Sequence, residues 1–93
     1  MQLKVYIAGK ITGDPNYREK FEEAQKGIEA IGHIVLSPAT LPAGMSAADY
    51  MRICFAMIDT ADTVIFLEDY IKSGGATLEY EYCKYIGKPV QFF

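Results

Sequence analysis

Apolar and polar residues alternate along this chain in blocks, and each block has the length and period of one secondary-structure element. Leu3 to Ala8 is a short, nearly continuous apolar run closed by Gly9, which predicts a buried strand. A loop from Gly9 to Gly13 follows, then Asp14-Pro15-Asn16, a helix start in which Asp14 or Asn16 can serve as the cap. Tyr17, Phe21, Ala24, Ile28 and Ile31 then recur at helical spacing, with charged residues on the other faces, and Gly32 ends the helix. His33 to Ser37 reads as a second strand and Pro38 to Met45 as a loop. Ser46 caps a second helix to about Thr60 that carries two apolar stripes, Met51, Phe55 and Ile58 on one and Tyr50, Cys54, Met57 and Ala61 on the other. A helix apolar on two faces is expected to be buried on both, one of them against a neighbouring subunit. Thr63 to Leu67 is a third strand, Gly74 to Ile86 a third helix, and Gly87-Lys88-Pro89 turns into a last strand, Val90 to Phe93.

Continuous apolar strands separated by helices predict a parallel sheet covered on both faces. Right-handed crossovers narrow the topology, and the strand order 2-1-3-4 satisfies them. The expected architecture is therefore a small doubly wound α/β sheet of about four strands, flavodoxin-like or Rossmann-like, formed by residues 1–93 as one domain. In that order the first strand is central and the order reverses between strands one and three. Ligands of such sheets bind at that reversal, outside the carboxyl ends of the strands. Both the Gly9–Gly13 loop and the turn after the third strand open there.

Composition changes this picture in three ways. The chain is 93 residues with 51% apolar side chains, enough for one core, and seven Tyr, five Phe and four Met form an unusual surplus. Part of that surplus is expected to sit in a self-association interface, making the protein a homodimer or higher homo-oligomer. A net charge of −3 argues against an extended nucleic-acid footprint, which needs a basic face. It still permits one nucleotide, because backbone N–H groups bind a phosphate without Lys or Arg. The two cysteines, Cys54 and Cys83, lie in apolar helical segments without CxxC spacing and read as reduced core thiols. No signal-peptide pattern and no membrane-length apolar run is present, so a cytoplasmic protein is expected.

The candidate chemistry sits in two small-residue turns. Gly9-Lys10-Ile11-Thr12-Gly13 follows the first strand; its glycines let N–H groups approach an anion and Thr12 adds a hydroxyl. It is neither GxGxxG nor a Walker loop, and an ordinary turn is the competing reading. Ser73-Gly74-Gly75-Ala76-Thr77-Leu78-Glu79 opens the third helix, where Ser73 can act simply as the cap. Glu79 falls in the second helical turn, where the positive end of the helix is expected to keep its carboxylate ionised and available as a nucleophile. The competing reading is a solvated surface carboxylate. Asp62 leads into the third strand and Asp69 follows it on the ligand side of the sheet. No Ser-His-Asp arrangement and no metal-ligand spacing occurs, and neither a metal nor a cofactor is implied.

Taken in order, Tyr6-Ile7-Ala8-Gly9-Lys10-Ile11-Thr12-Gly13, Asp62-Thr63-Val64, Ser73 to Glu79 and Gly87-Lys88-Pro89-Val90 resemble the nucleoside 2-deoxyribosyltransferase superfamily, which includes the 2'-deoxynucleoside 5'-monophosphate N-glycosidases. The resemblance covers almost the whole chain. It implies that Glu79 attacks C1' of the sugar to form a glycosyl ester, through an oxocarbenium-like transition state of the kind retaining glycosidases use. It also implies that Tyr6, Gly9, Lys10, Ile11, Thr12, Gly13, Ser73 and Gly75 contact the substrate, a small nucleotide or nucleoside. A serine six residues before the nucleophile binds phosphate in the monophosphate enzymes, while the transferases have aspartate there; Ser73 holds that spacing. The family's aspartate on the second helix, eight residues before the Asp62 position, is replaced by Cys54. Asp59 can take that aspartate's place if the helix register differs and Asp69 if its loop folds inward; Asp62 and Asp69 are the candidate catalytic carboxylates beside Glu79. The expected function is cleavage of an N-glycosidic bond, with a non-catalytic nucleotide-binding module of the same fold as the alternative.

Overall fold

The computed structural model describes residues 1–93 and contains four parallel strands in one sheet, order β2-β1-β3-β4. The strands are β1 (Lys4–Ala8), β2 (Ile34–Leu36), β3 (Thr63–Phe66) and β4 (Val90–Phe92); three helices, α1 (Tyr17–Ala30), α2 (Ala47–Thr60) and α3 (Gly74–Ile86), connect them. The predicted α/β class and strand order are those observed. Period-two alternation along the central strand divides the core in two. Val5 and Ile7 of β1 pack with Phe21, Ala24 and Ile28 of α1 on one face. Tyr6 and Ala8 pack with Cys54 and Ile58 of α2 and Cys83 of α3 on the other.

Local chemistry fixes where the helices begin and end. Ser46 accepts the Asp49 N–H while Asp49 accepts the Ser46 N–H, a reciprocal cap that starts α2. Asn16 is the N-cap residue of α1 but makes no side-chain cap bond; Asp14 instead accepts the Asn16 N–H at 2.9 Å. Gly87 ends α3 with φ +75°, and its N–H closes on the carbonyls of Cys83 and Lys84. Alanine is strained in that left-handed conformation, so Gly87→Ala is expected to lower stability by about 1 kcal/mol. The shift would be read as a lower urea midpoint at unchanged m.

One packing expectation is corrected, and the two apolar stripes of α2 are only partly covered within this single chain. Ile31 lies one residue beyond α1, at its C-cap, and is 74% exposed rather than part of the buried stripe. Helix α2 buries Cys54 and Ile58, but Tyr50, Met51, Phe55 and Met57 are only half-buried. Phe55 stacks on Tyr82 of α3 with ring centroids 4.3 Å apart. No helix is long and apolar enough to cross a membrane.

Candidate active site

The carboxyl ends of the strands open into a cleft of about 630 Å³. Its walls come from three sources: Gly9, Ile11 and Thr12 after β1, the Leu41–Met45 loop between β2 and α2, and the first turns of α2 and α3. That is the place where the strand order reverses about β1, as a doubly wound sheet requires. A side chain at Gly9 is excluded, because a Cβ there would lie 2.9 Å from Leu67 Cδ1. The first loop can therefore pack flat against the end of β3.

Glu79 is the one charged side chain lining the cleft, and it is only 4% exposed. Gly74 begins α3, so Glu79 sits in its second turn and faces the sheet. There Tyr6, fully buried on β1, donates its hydroxyl to Glu79 Oε2 at 2.9 Å. Burial dominates the electrostatics: it pushes the Glu79 carboxyl from 4.5 up to about 7, while Tyr6 and Cys54 pull the other way through hydrogen bonds. Desolvation thus opposes the helix end, and Glu79 keeps its proton to a higher pH than the helix end alone predicts. The solvated-surface reading falls with the same observation. Burial also raises the Tyr6 phenol well above its usual range and the Cys54 thiol to about 11, so both keep their protons at neutral pH.

Ser73, Gly74 and Gly75 line the cleft beside Glu79. The Ser73 hydroxyl accepts the Ala76 N–H at 3.1 Å as the α3 cap, and the Gly74 and Gly75 amides are first-turn donors with no partner inside the helix. Met51 approaches Gly75 so closely that a Cβ would lie 3.2 Å from its methyl group.

The other expected site residues are distributed unevenly. Gly9, Ile11, Thr12, Cys54, Ser73 and Gly75 meet in the cleft; Tyr6 supports it from beneath; Lys10 and Gly13 lie outside its lining. Asp62 is at the opposite end of the sheet, where it accepts the Lys4 N–H at 2.8 Å, because it precedes rather than follows a parallel strand. Asp69 is on the ligand side but does not line the cleft: it accepts the Lys10 N–H at 3.1 Å and an ion-pair bond from Lys20. Burial raises the Asp69 carboxyl, yet Lys20 and the Lys10 N–H together bring it below its ordinary value. Lys20 also binds Asp14 at 2.6 Å and the Lys10 carbonyl at 2.8 Å, clasping the loop after β1 to the loop after β3. Neither Asp62 nor Asp69 lines the cleft that Glu79 faces.

The opposite wall was not identified from the sequence. The Tyr50 hydroxyl donates to the Pro42 carbonyl at 2.6 Å and accepts the Met45 N–H at 3.2 Å, fixing the Leu41–Met45 loop over the cleft. A tyrosine one turn inside a helix that follows a Pro- and Gly-containing loop was the available signal; its place in an apolar stripe concealed it.

Comparison with known proteins agrees with this architecture. Residues 3–92 match the family described as a domain of unknown function, DUF4406. No curated protein matches the sequence. A solved 2-deoxyribosyltransferase from the psychrotolerant bacterium Bacillus psychrosaccharolyticus superposes with TM-score 0.76 at 21% identity, over 97% of this chain and 71% of that one. The 2-desoxiribosyltransferase from Leishmania mexicana gives TM-score 0.76 at 20% identity, over 97% of this chain and 63% of that one. The chain belongs to the DUF4406 family, and its fold is that of the nucleoside 2-deoxyribosyltransferases.

Proposed function

We propose that the protein cleaves the N-glycosidic bond of a nucleoside or a (deoxy)nucleoside 5'-monophosphate through a glycosyl ester on Glu79. The observation that carries this is a single buried carboxyl, held by the Tyr6 hydroxyl at 2.9 Å and facing a cleft large enough for a nucleotide. The ionised form of Glu79 attacks C1' as the bond to the base breaks, and its charge stabilises the oxocarbenium-like centre. Water then releases the sugar from the ester. The first-turn amides of α3, with Ser73 and the Gly9–Thr12 loop, offer the donors and dipole that a 5'-phosphate needs. A second reading, a nucleotide-binding module without turnover, is favoured by one feature: no further carboxylate lines the cleft to protonate a departing base. Exposed Ile71, Tyr85, Phe92 and Phe93 support the expectation of self-association.

The test is chromatographic detection of free base after incubation with nucleosides and nucleotides. Release by wild type and none by Glu79→Gln is the expected result. A nucleotide that raises the melting temperature of both proteins equally, with no base released by either, would select the binding module.

A further inference from the structure

We propose that the cleft acts on N-glycosides whose base already carries a positive charge, such as an N-alkylated purine or a pyridinium. This rests on the reading of Glu79 as the attacking group. Breaking a C1'–N bond leaves its electron pair on the base. A neutral base then needs a proton from a positioned acid, worth about 10²–10⁴-fold in rate. A cationic base needs none, since the electron pair neutralises it as it departs.

Apart from Glu79, no carboxyl and no imidazole lines the cleft to supply that proton. Asp14 and Asp69 are bound to Lys20. Asp49 caps α2 and pairs with Arg52, and Asp59 accepts the Tyr82 hydroxyl at 2.6 Å. Asp62 and the single histidine, His33, lie at the amino ends of the strands; His33 Nδ1 accepts the Leu3 N–H at 3.1 Å. Within the cleft the Tyr50 proton is committed to the Pro42 carbonyl, and Cys54 holds its proton too tightly for useful acid catalysis. Tyr17, Thr12 and Ser73 add hydroxyls to the lining, but Glu79 is its one carboxyl, and that carboxyl cannot attack C1' and protonate the base in the same step.

The charge balance of the cleft points the same way. No Lys or Arg lines it, so nothing repels a cation, and the Tyr50 ring adds aromatic surface to the wall. A cation bound beside Glu79 also offsets the desolvation that disfavours the carboxylate, so such a substrate ionises its own nucleophile. In the step proposed, a Glu79 oxygen bonds to C1', the C1'–N bond breaks and the base leaves neutral without proton transfer. Water then attacks C1', the carboxylate departs, and the proton lost by the water passes to solvent.

The experiment measures base release from matched pairs, 7-methylguanosine against guanosine and 7-methyl-dGMP against dGMP, with nicotinamide riboside added. Each rate is divided by that of the same compound in buffer, and Glu79→Gln serves as control. The expected result is a Glu79-dependent enhancement at least tenfold larger for the cationic member of a pair. An enhancement equal or larger for the neutral member would overturn the preference while leaving the glycosidase reading intact. Release from none of the compounds would overturn the glycosidase reading, and the preference with it.

Discussion

Glu79→Gln is expected to abolish base release and, above pH 7, to stabilise the protein by about 3 kcal/mol. The two effects have one cause. Glu79 is buried at the end of a cleft, and burial raises its carboxyl from 4.5 to about 7. The folded protein therefore holds a proton there that the unfolded chain has released, throughout the interval between those values. Stability contributed by this group is fully present below pH 4.5, falls as the pH rises, and is lost above about 7. At about 1.4 kcal/mol per pH unit, the interval amounts to about 3 kcal/mol. Glutamine has the shape of the protonated acid and can still accept the Tyr6 hydroxyl, so the variant escapes the loss. Urea midpoints of the two proteins should coincide near pH 4.5 and diverge towards pH 8, with the variant higher. The same substitution removes the proposed nucleophile, for which the expected loss is on the order of 10⁴-fold or more in turnover. Parallel stability curves at all pH values would show that Glu79 titrates normally and is not the desolvated group described. A carboxyl kept only for structure would not impose such a cost, whereas active sites commonly trade stability for a reactive group.

Much of this architecture is legible in the order of residues because local and long-range requirements agree. β1 and β3 are buried on both faces, which makes them continuous apolar runs, and sequence-local signals start α2 and both start and end α3. Ser46 is followed three residues later by Asp49, and Gly87 closes α3 with positive φ. Parallel strands leave few permitted crossovers, so the order β2-β1-β3-β4 follows once the elements are placed. The cleft-lining residues on the loop after β1 and at the start of α3 are legible for the same reason: a doubly wound sheet sends those loops to one end.

The electrostatics were not legible. Whether Glu79 stays ionised depends on competition between the helix end and desolvation, and the depth of burial is a tertiary quantity. Asp62 and Asp69 show the matching limit. Both are carboxylates next to β3, yet Asp62 serves the Lys4 amide at the far end of the sheet and Asp69 serves Lys20 and the Lys10 amide. Charge and spacing identify them as candidates; only the partners across the fold, 49 to 59 residues away for these contacts, assign them to bracing. Tyr50 is the converse case, a residue classed as apolar whose hydroxyl holds a wall of the cleft.

Tyr6→Phe is expected to move the ionisation of Glu79 upward by roughly 1–2 pH units. The Tyr6 hydroxyl is the side-chain donor bonded to Glu79 Oε2, and it stabilises the charged form more than the protonated one. Hydrogen bonds to charged groups contribute about 1.5–3 kcal/mol, which sets the size of the shift. Phenylalanine fills the same buried volume, so the core between β1 and α3 stays packed. Carbon-detected NMR titration of the Glu79 side chain reads the midpoint directly, without requiring turnover. In base release the low-pH limb should move by the same interval, with a roughly five- to fiftyfold loss at pH 7 that shrinks as the pH is raised. A Tyr6 that merely packed beneath the cleft would leave the midpoint where it was and lower the rate equally at every pH. An upward shift of the midpoint instead identifies the hydroxyl as the counterweight to burial, holding the Glu79 ionisation near pH 7 in a cleft that would otherwise keep it protonated.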